Sequence, residues 1–223
     1  FVGGTIYALC YIPYFMLGHT FGDAVGLQQQ MFGYHYDLKA THPYGSKWWQ
    51  WPFILRPISY YYHDWRTGAA TQDSTACCVA EIIAIPNPAV WWLGLVSVPF
   101  VGWLGFRERN KGYVLLFVAY LLQWLPWASS PRVAFEYHFF PNLAVICLAN
   151  AALLQRIWRY GETHAGRLAR LGRTAWPQLV VGGYLVLVVG LFVFFFPILA
   201  GLHVRWDVWD ARMWHWLMHN QWV

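Results

Sequence analysis

Five stretches of this chain, near residues 1–18, 88–105, 113–130, 134–155 and 178–201, are apolar enough and nearly long enough to cross a membrane as helices. A hydrocarbon core of roughly 30 Å needs about 20 such residues. The composition points the same way. Only 11% of the 223 residues are charged, against about 25% in an average soluble domain, so a soluble fold of this length would lack the polar groups to cover its own surface. Aromatic residues make up 20%, with 16 Trp and 14 Tyr, the side chains that collect at membrane interfaces. The expectation is an all-α membrane protein with about five transmembrane helices, forming a single transmembrane domain over 1–223.

The formal net charge is +5, but the basic residues sit in short links between apolar runs, which is a positive-inside pattern rather than a nucleic-acid footprint. Segments 106–112 and 156–177 hold eight of them in 29 positions: Arg107, Arg109, Lys111, Arg156, Arg159, Arg167, Arg170 and Arg173. The remaining links hold seven in 94 positions: Lys39, Lys47, Arg56, Arg66, Arg132, Arg205 and Arg212. That bias puts the first pair of segments in the cytoplasm, and loop 19–87 and the C-terminus outside. The sequence opens at Phe1 with neither Met nor a charged leader, so it is expected to begin within or just before a membrane helix and not with a signal peptide. Ser129-Ser130-Pro131-Arg132 should join the third and fourth spans in a tight hairpin, and Pro126 should kink the third or end it early.

Loop 19–87 is too long for a plain connector. Its first part, 21–38, reads as an interfacial helix with two nearly opposite apolar stripes, Phe21, Val25, Phe32 and Tyr36 on one side and Leu27, Met31, Tyr34 and Leu38 on the other. Such a helix is expected to be sandwiched. Next comes a run from His42 to Tyr62 with three prolines, three tryptophans and four tyrosines. Its rings suit stacking on sugar faces, with Arg56 offering a planar fork for a phosphate; the same composition also suits an aromatic belt at headgroup depth. A second cluster runs from Trp124 to Pro141. Arg132, Glu136 and His138 would there enter the start of a membrane helix, where charge is costly and faces protein or water. Arg132 near a helix N-terminus would attract an anion; equally, Arg132 and Glu136 would pair four residues apart on one helical face.

The remaining chemistry-bearing residues form no motif. His19, His35, His42 and His63 are scattered without metal-ligand spacing, and no histidine lies mid-span to hold a haem or pigment. Cys10 and Cys147 read as small core residues, and the Cys77-Cys78 pair lacks a CxxC partner. Glu81, Asp207 and Asp210 have no evident partner. No metal or cofactor is expected.

Three strings carry a resemblance: KATHPYGSKWWQWPFILRPISYYY at 39–62, LPWASSPRVAFEYHFFP at 125–141, and Ile85-Pro-Asn-Pro-Ala-Val-Trp-Trp92, in which Pro86 stands where a glycine is usual. Together they resemble the C-terminal half of the protein O-mannosyltransferase family, the polyprenyl- or dolichyl-phosphate-mannose–protein mannosyltransferases of GT-C type. The resemblance implies the C-terminal four-to-five-helix region of an enzyme, expected in a bacterial inner membrane, that moves mannose from a lipid-phosphate donor to Ser or Thr hydroxyls outside the cytoplasm. It implies Arg132, Tyr137, His138 and Arg56 near the donor phosphate, with His42, Tyr44, Trp48 and Trp51 walling the substrate site. The implied partners are membrane lipids, the lipid-linked mannose, and an N-terminal half or other membrane subunits. The family's catalytic acidic pair lies in that other half and nothing in 1–223 corresponds to it, so no catalytic residue is assigned and the 223-residue chain alone is expected not to transfer mannose. The competing reading is a non-catalytic relative that packs as a structural subunit of a larger membrane complex.

Overall fold

In the computed structural model, which describes residues 2–65, 78–165, 169 and 176–213 with side chains up to 209, helices dominate. They are α1 (Val2–Leu9), α2 (Ile12–Met16), α3 (Phe21–Asp37), α4 (Pro88–Arg107), α5 (Lys111–Trp124), α6 (Asn142–Thr163), α7 (Trp176–Leu199) and α8 (Trp206–Met213). Arg66, Cys77, Arg167, Arg170 and Arg173, and the side chains of Asp210 and Arg212, lie outside the described residues. The chain divides into two compact units, Phe1–His42 with Ser130–Val133, and Pro43–Ser129 with Ala134–Val223.

In the first unit, the expected span at 1–18 is two short helices. Pro13 sits in the first turn of α2, and a proline has no N–H with which to continue the ladder of α1. α3 begins where Thr20 caps it. The Asp23 N–H donates to Thr20 Oγ1 (3.2 Å) and the Asp23 carboxylate accepts the Thr20 N–H (2.6 Å), a reciprocal box that satisfies two orphan groups. Ala24 is the buried residue of α3, and Phe21, Phe32, Tyr34 and Tyr36 are exposed.

The second unit is a helical bundle with α4 at its centre. Pro88–Arg107, Lys111–Ser129 and Trp176–Leu199 are each long and apolar enough to cross a membrane. Pro126 ends the α-helical part of the second of these at Trp124, and the chain continues as a 3-10 turn, Leu125–Ser129. α6 starts at Asn142, not at 134, so the expected tight hairpin is a 17-residue passage from Leu125 to Pro141. α4 packs closely because it carries glycines. A Cβ on Gly94 would stand 2.9 Å from Ile146, and one on Gly105 would stand 2.8 Å from the Val114 backbone nitrogen. Small residues let membrane helices approach, and polar side chains then hold them. Asn150 of α6 donates to the Val90 carbonyl (2.8 Å) and accepts from the Ser97 hydroxyl (2.5 Å), and all of these groups lie on buried or half-buried residues. Cys10 and Cys147, by contrast, are exposed and not small core residues, and Cys78 is disulfide-bonded.

One element departs from an all-α expectation. β1 (Ile58–Asp64), β2 (Cys78–Ala84) and β3 (Val204–Arg205) form an antiparallel sheet in the order β1-β2-β3, with a register shift between Ser59 and Tyr61. Val79, Ala80 and Ile83 of β2 are buried. Trp209 of α8 closes the sheet by donating from Nε1 to Glu81 (3.0 Å), and Asp207 pairs with Arg205 at 3.1 Å. Both carboxylates therefore have partners that their spacing in sequence conceals.

Two substitutions test this packing. Gly105→Leu drives a side chain into the α5 backbone and is expected to cost about 1–3 kcal/mol, and Asn150→Leu strands Ser97 and the Val90 carbonyl at about 1 kcal/mol. Both should lower the melting temperature in detergent; variants melting with the natural chain would refute the contacts.

Candidate functional site

The two aromatic segments singled out in the sequence fold onto one another in the second unit. Trp48–Phe53 forms a 3-10 turn with Pro52 inside it, and Glu136–Phe139 forms another. The Ser46 N–H donates to the Ala134 carbonyl at 2.8 Å, joining the two. Trp124 Nε1 donates to the Trp48 carbonyl (2.8 Å), Trp91 Nε1 to the Trp51 carbonyl (2.9 Å) and Trp51 Nε1 to Ser46 Oγ (2.9 Å). Two indoles thus donate to backbone carbonyls of the irregular segment, and the third donates to a serine hydroxyl within it. Trp51 lies among Trp127, His138 and Phe139, with ring centroids 5.6, 6.2 and 6.3 Å away.

Each predicted site residue has a defined place. Trp51 is fully buried, so it cannot present a face to a sugar; it is the internal brace of the platform and not its wall. Trp48 and Tyr44 are half-buried and His42 is exposed. Tyr137 stacks on His138 at 4.4 Å and lies 6.5 Å from Tyr60. His138 Nδ1 accepts the Phe135 N–H at 3.1 Å, capping the turn, while the His138 carbonyl accepts from Gln123 (2.6 Å). Arg56 follows Ile54, a β-branched residue held at φ 55° and ψ 44°, which is a strained backbone state for such a side chain. The Arg56 guanidinium donates to the Pro43 carbonyl. Arg132 belongs to the first unit. It is not at a helix N-terminus and forms no i,i+4 pair with Glu136, since 130–135 is not helical. It instead meets His35 of α3, Nη1 to Nδ1, at 2.7 Å.

Glu136 is the feature that sequence reading misjudged. It is fully buried, and among the described residues neither carboxyl oxygen has a side-chain hydrogen-bond partner. Burial pushes its pKa from 4.5 up to about 8, opposed only in part by the Arg56 backbone N–H. It is a neutral acid at pH 7, not one half of an exposed ion pair. His35 was missed altogether as the neighbour of Arg132, because 97 residues separate them. Among the described residues no group of His, Cys, Asp and Glu is placed to hold a metal ion.

Comparison with known proteins now identifies the scaffold. The family model for the C-terminal four TMM region of protein-O-mannosyltransferase matches residues 20–219. The chain belongs to this family. It is 26% identical over 238 residues to the polyprenol-phosphate-mannose–protein mannosyltransferase of Mycobacterium tuberculosis, covering 94% of this chain and 43% of that protein. It is 30% identical over 181 residues to the Mycolicibacterium smegmatis protein of the same description, covering 78% and 32%. Among solved structures, the Saccharomyces cerevisiae protein O-mannosyltransferase Pmt1-Pmt2 complex bound to the sugar donor superposes with a TM-score of 0.61 at 19% identity, over 92% of this chain and 27% of that one. The chain is thus an integral membrane protein with the fold of the family's C-terminal region, and it spans less than half the length of the curated relatives it matches.

The buried carboxyl makes stability depend on pH. Unfolded, Glu136 ionises near 4.5; folded, near 8. Between those values the folded chain keeps a proton that the unfolded chain has released. The stabilisation is whole below the lower value and is lost as pH rises through the upper one, by on the order of a few kcal/mol. Glu136→Gln has no proton to lose, so its melting temperature should fall less than the natural chain's between about pH 5 and pH 8. Parallel profiles would show that the carboxyl ionises normally.

Proposed function

We propose that this chain is the donor-holding membrane region of a protein O-mannosyltransferase, moving mannose from a polyprenyl-type lipid phosphate to Ser or Thr hydroxyls of a protein on the extracytoplasmic side. The observation that carries this reading is the convergence of the second-unit parts of the two family strings, 43–62 with 125–129 and 134–141, on one tryptophan-braced platform in a chain of that family. In such a transfer the bond from the sugar's anomeric carbon to the phosphate oxygen breaks as the acceptor oxygen attacks from the opposite face. A base takes the hydroxyl proton, and cations stabilise the departing phosphate. In the second unit Arg56 supplies a cation, His138 and Tyr137 polar contacts, and Tyr44 and Trp48 the wall; in the first unit the family resemblance assigns Arg132 to the phosphate and His42 to the wall. His35 fixes the reach of Arg132. Glu136, buried and neutral, is unsuited to act as the base, which therefore comes from another part of the enzyme.

The membrane arrangement that goes with this activity has α4, α5, α6 and α7 as four spans. α6, at 22 residues, is long enough at about 33 Å although Asn150 and Arg156 make it less apolar. Residues 43–87, the passage 125–141 and the C-terminus then lie outside a bacterial inner membrane, and Arg107, Arg109, Lys111, Arg156 and Arg159 lie on the cytoplasmic side. This satisfies the positive-inside rule.

In the full-length transferase, Arg132→Ala is expected to weaken binding of the lipid-linked mannose about tenfold, Arg132→Lys to recover part of it, and Arg205→Gln to change nothing. Donor binding that survives Arg132→Ala removes the phosphate role. Mannose transfer by the purified 223-residue polypeptide would show that the base lies within it after all.

A further inference from the structure

At the end of the bundle away from the tryptophan platform, the first turn of α5 and the last two turns of α6 enclose a cavity of about 450 Å³ lined by Tyr113, Gln155, Arg156, Arg159, Tyr160 and Thr163. A water molecule claims about 30 Å³, so the space fits a larger polar group. Its walls are charged in a definite way. Arg156 donates to the Glu108 carboxylate at 2.6 Å, yet a guanidinium has five N–H donors. The guanidinium of Arg159 has no partner among the described residues and is exposed. The carboxylates nearby are engaged, Glu108 by Arg156 and Glu162 by Trp158 Nε1 at 2.8 Å. The Thr163 hydroxyl donates to the Arg159 carbonyl (2.9 Å). The amides of the α5 N-terminus are not available, because Asn110 already accepts from Gly112 (3.0 Å) and Tyr113 (3.2 Å). An incoming group would therefore meet arginine donors and not a helix end.

What surrounds the cavity sets the kind of group. Leu115 on α5 and Trp158 on α6 are exposed, and the cavity lies at one end of α5, which with its 3-10 extension is long and apolar enough to cross a membrane, where lipid headgroups would stand. Phosphate oxygens match paired guanidinium groups in geometry and charge, and basic pockets between membrane helices bind acidic headgroups. We infer that this cavity is a binding site for the phosphodiester headgroup of an anionic phospholipid, seated on Arg156 and Arg159 with its acyl chains along α5 and α6. The site is separate from the donor platform and does not depend on the mannosyltransferase reading.

The test is native mass spectrometry of the full chain purified in detergent, titrated with phosphatidylglycerol, with phosphatidylcholine and with inorganic phosphate as competitor. Phosphatidylglycerol should be retained in preference to phosphatidylcholine, and millimolar inorganic phosphate should not displace it. Arg159→Gln, which breaks no internal bond, should weaken retention about tenfold, Arg156→Gln at least as much, and Arg205→Gln not at all. Retention unchanged in Arg159→Gln would overturn the site. Equal binding of phosphatidylcholine, an equal loss in Arg205→Gln, or full displacement by inorganic phosphate would also overturn it, the last by showing a free-anion site and not a lipid one. A melting curve for each variant separates loss of binding from loss of fold.

Discussion

The hydrogen bond from the Trp91 indole to the Trp51 carbonyl, 2.9 Å long and buried, is the tie on which the second unit depends. It joins the first turn of α4 to the 3-10 turn Trp48–Phe53, and so joins the regular bundle to the irregular aromatic segment above it. Non-helical backbone at the edge of a membrane is tolerated only where protein or water satisfies it. Here indole N–H groups do that work, since each brings a donor together with a large apolar ring. The ring packing then follows: Phe139 lies against Trp91 at 5.3 Å, Tyr120 at 5.6 Å and Trp124 at 5.9 Å. An aliphatic core residue in place of Trp91 would fill space but take the indole donor from the Trp51 carbonyl, and one in place of Trp51 would take it from the Ser46 hydroxyl.

A platform held this way separates rigid groups from adjustable ones. Trp51, Phe139 and Glu136 are fixed by burial. Tyr44, Trp48, Tyr137 and His138 are half-buried, with one face packed and another available. The strained Ile54 is 1% exposed; its side chain fills the core while its backbone takes a conformation that glycine would adopt at no cost. Such a position persists because the surrounding packing over-determines it, and it sets the direction in which the chain leaves toward Arg56.

Much of the bundle was legible in the sequence for simple reasons. α4 and α7 lie within two residues of the stretches expected at 88–105 and 178–201 because uninterrupted apolar runs have one solution in a bilayer. α3 was legible from its pattern of apolar residues alone; its capping box, Thr20 with Asp23, was not read. What escaped was whatever depends on distant partners. Phe139 and Phe140 continue the apolar run of α6, so hydropathy drew the helix back to 134, whereas a 3-10 turn capped by His138 intervenes. β1 was invisible because Tyr60, Tyr61, Tyr62 and His63 are all exposed and show no alternation, and the shift at Ser59/Tyr61 breaks the period further. Trp51 looked like a ligand-facing ring for the same reason that it is a good brace: a tryptophan reads alike in either role until its neighbours are known. A local pair of Glu136 with Arg132 was one of two open readings, resting on a four-residue spacing that means contact only on a helix.

Asn87 shows how this architecture is tied to the order of synthesis. Its side chain accepts the Ala89 N–H at 3.1 Å to start α4, and donates to the Val188 carbonyl of α7 at 2.9 Å across 101 residues. At about 5–20 residues per second, the ribosome takes roughly 5–20 s to deliver that second partner. During this interval α4, α5 and α6 are synthesised, with the start of α4 half secured. The last long helix to emerge therefore latches the first one of the bundle, and the bundle closes from its final member backwards.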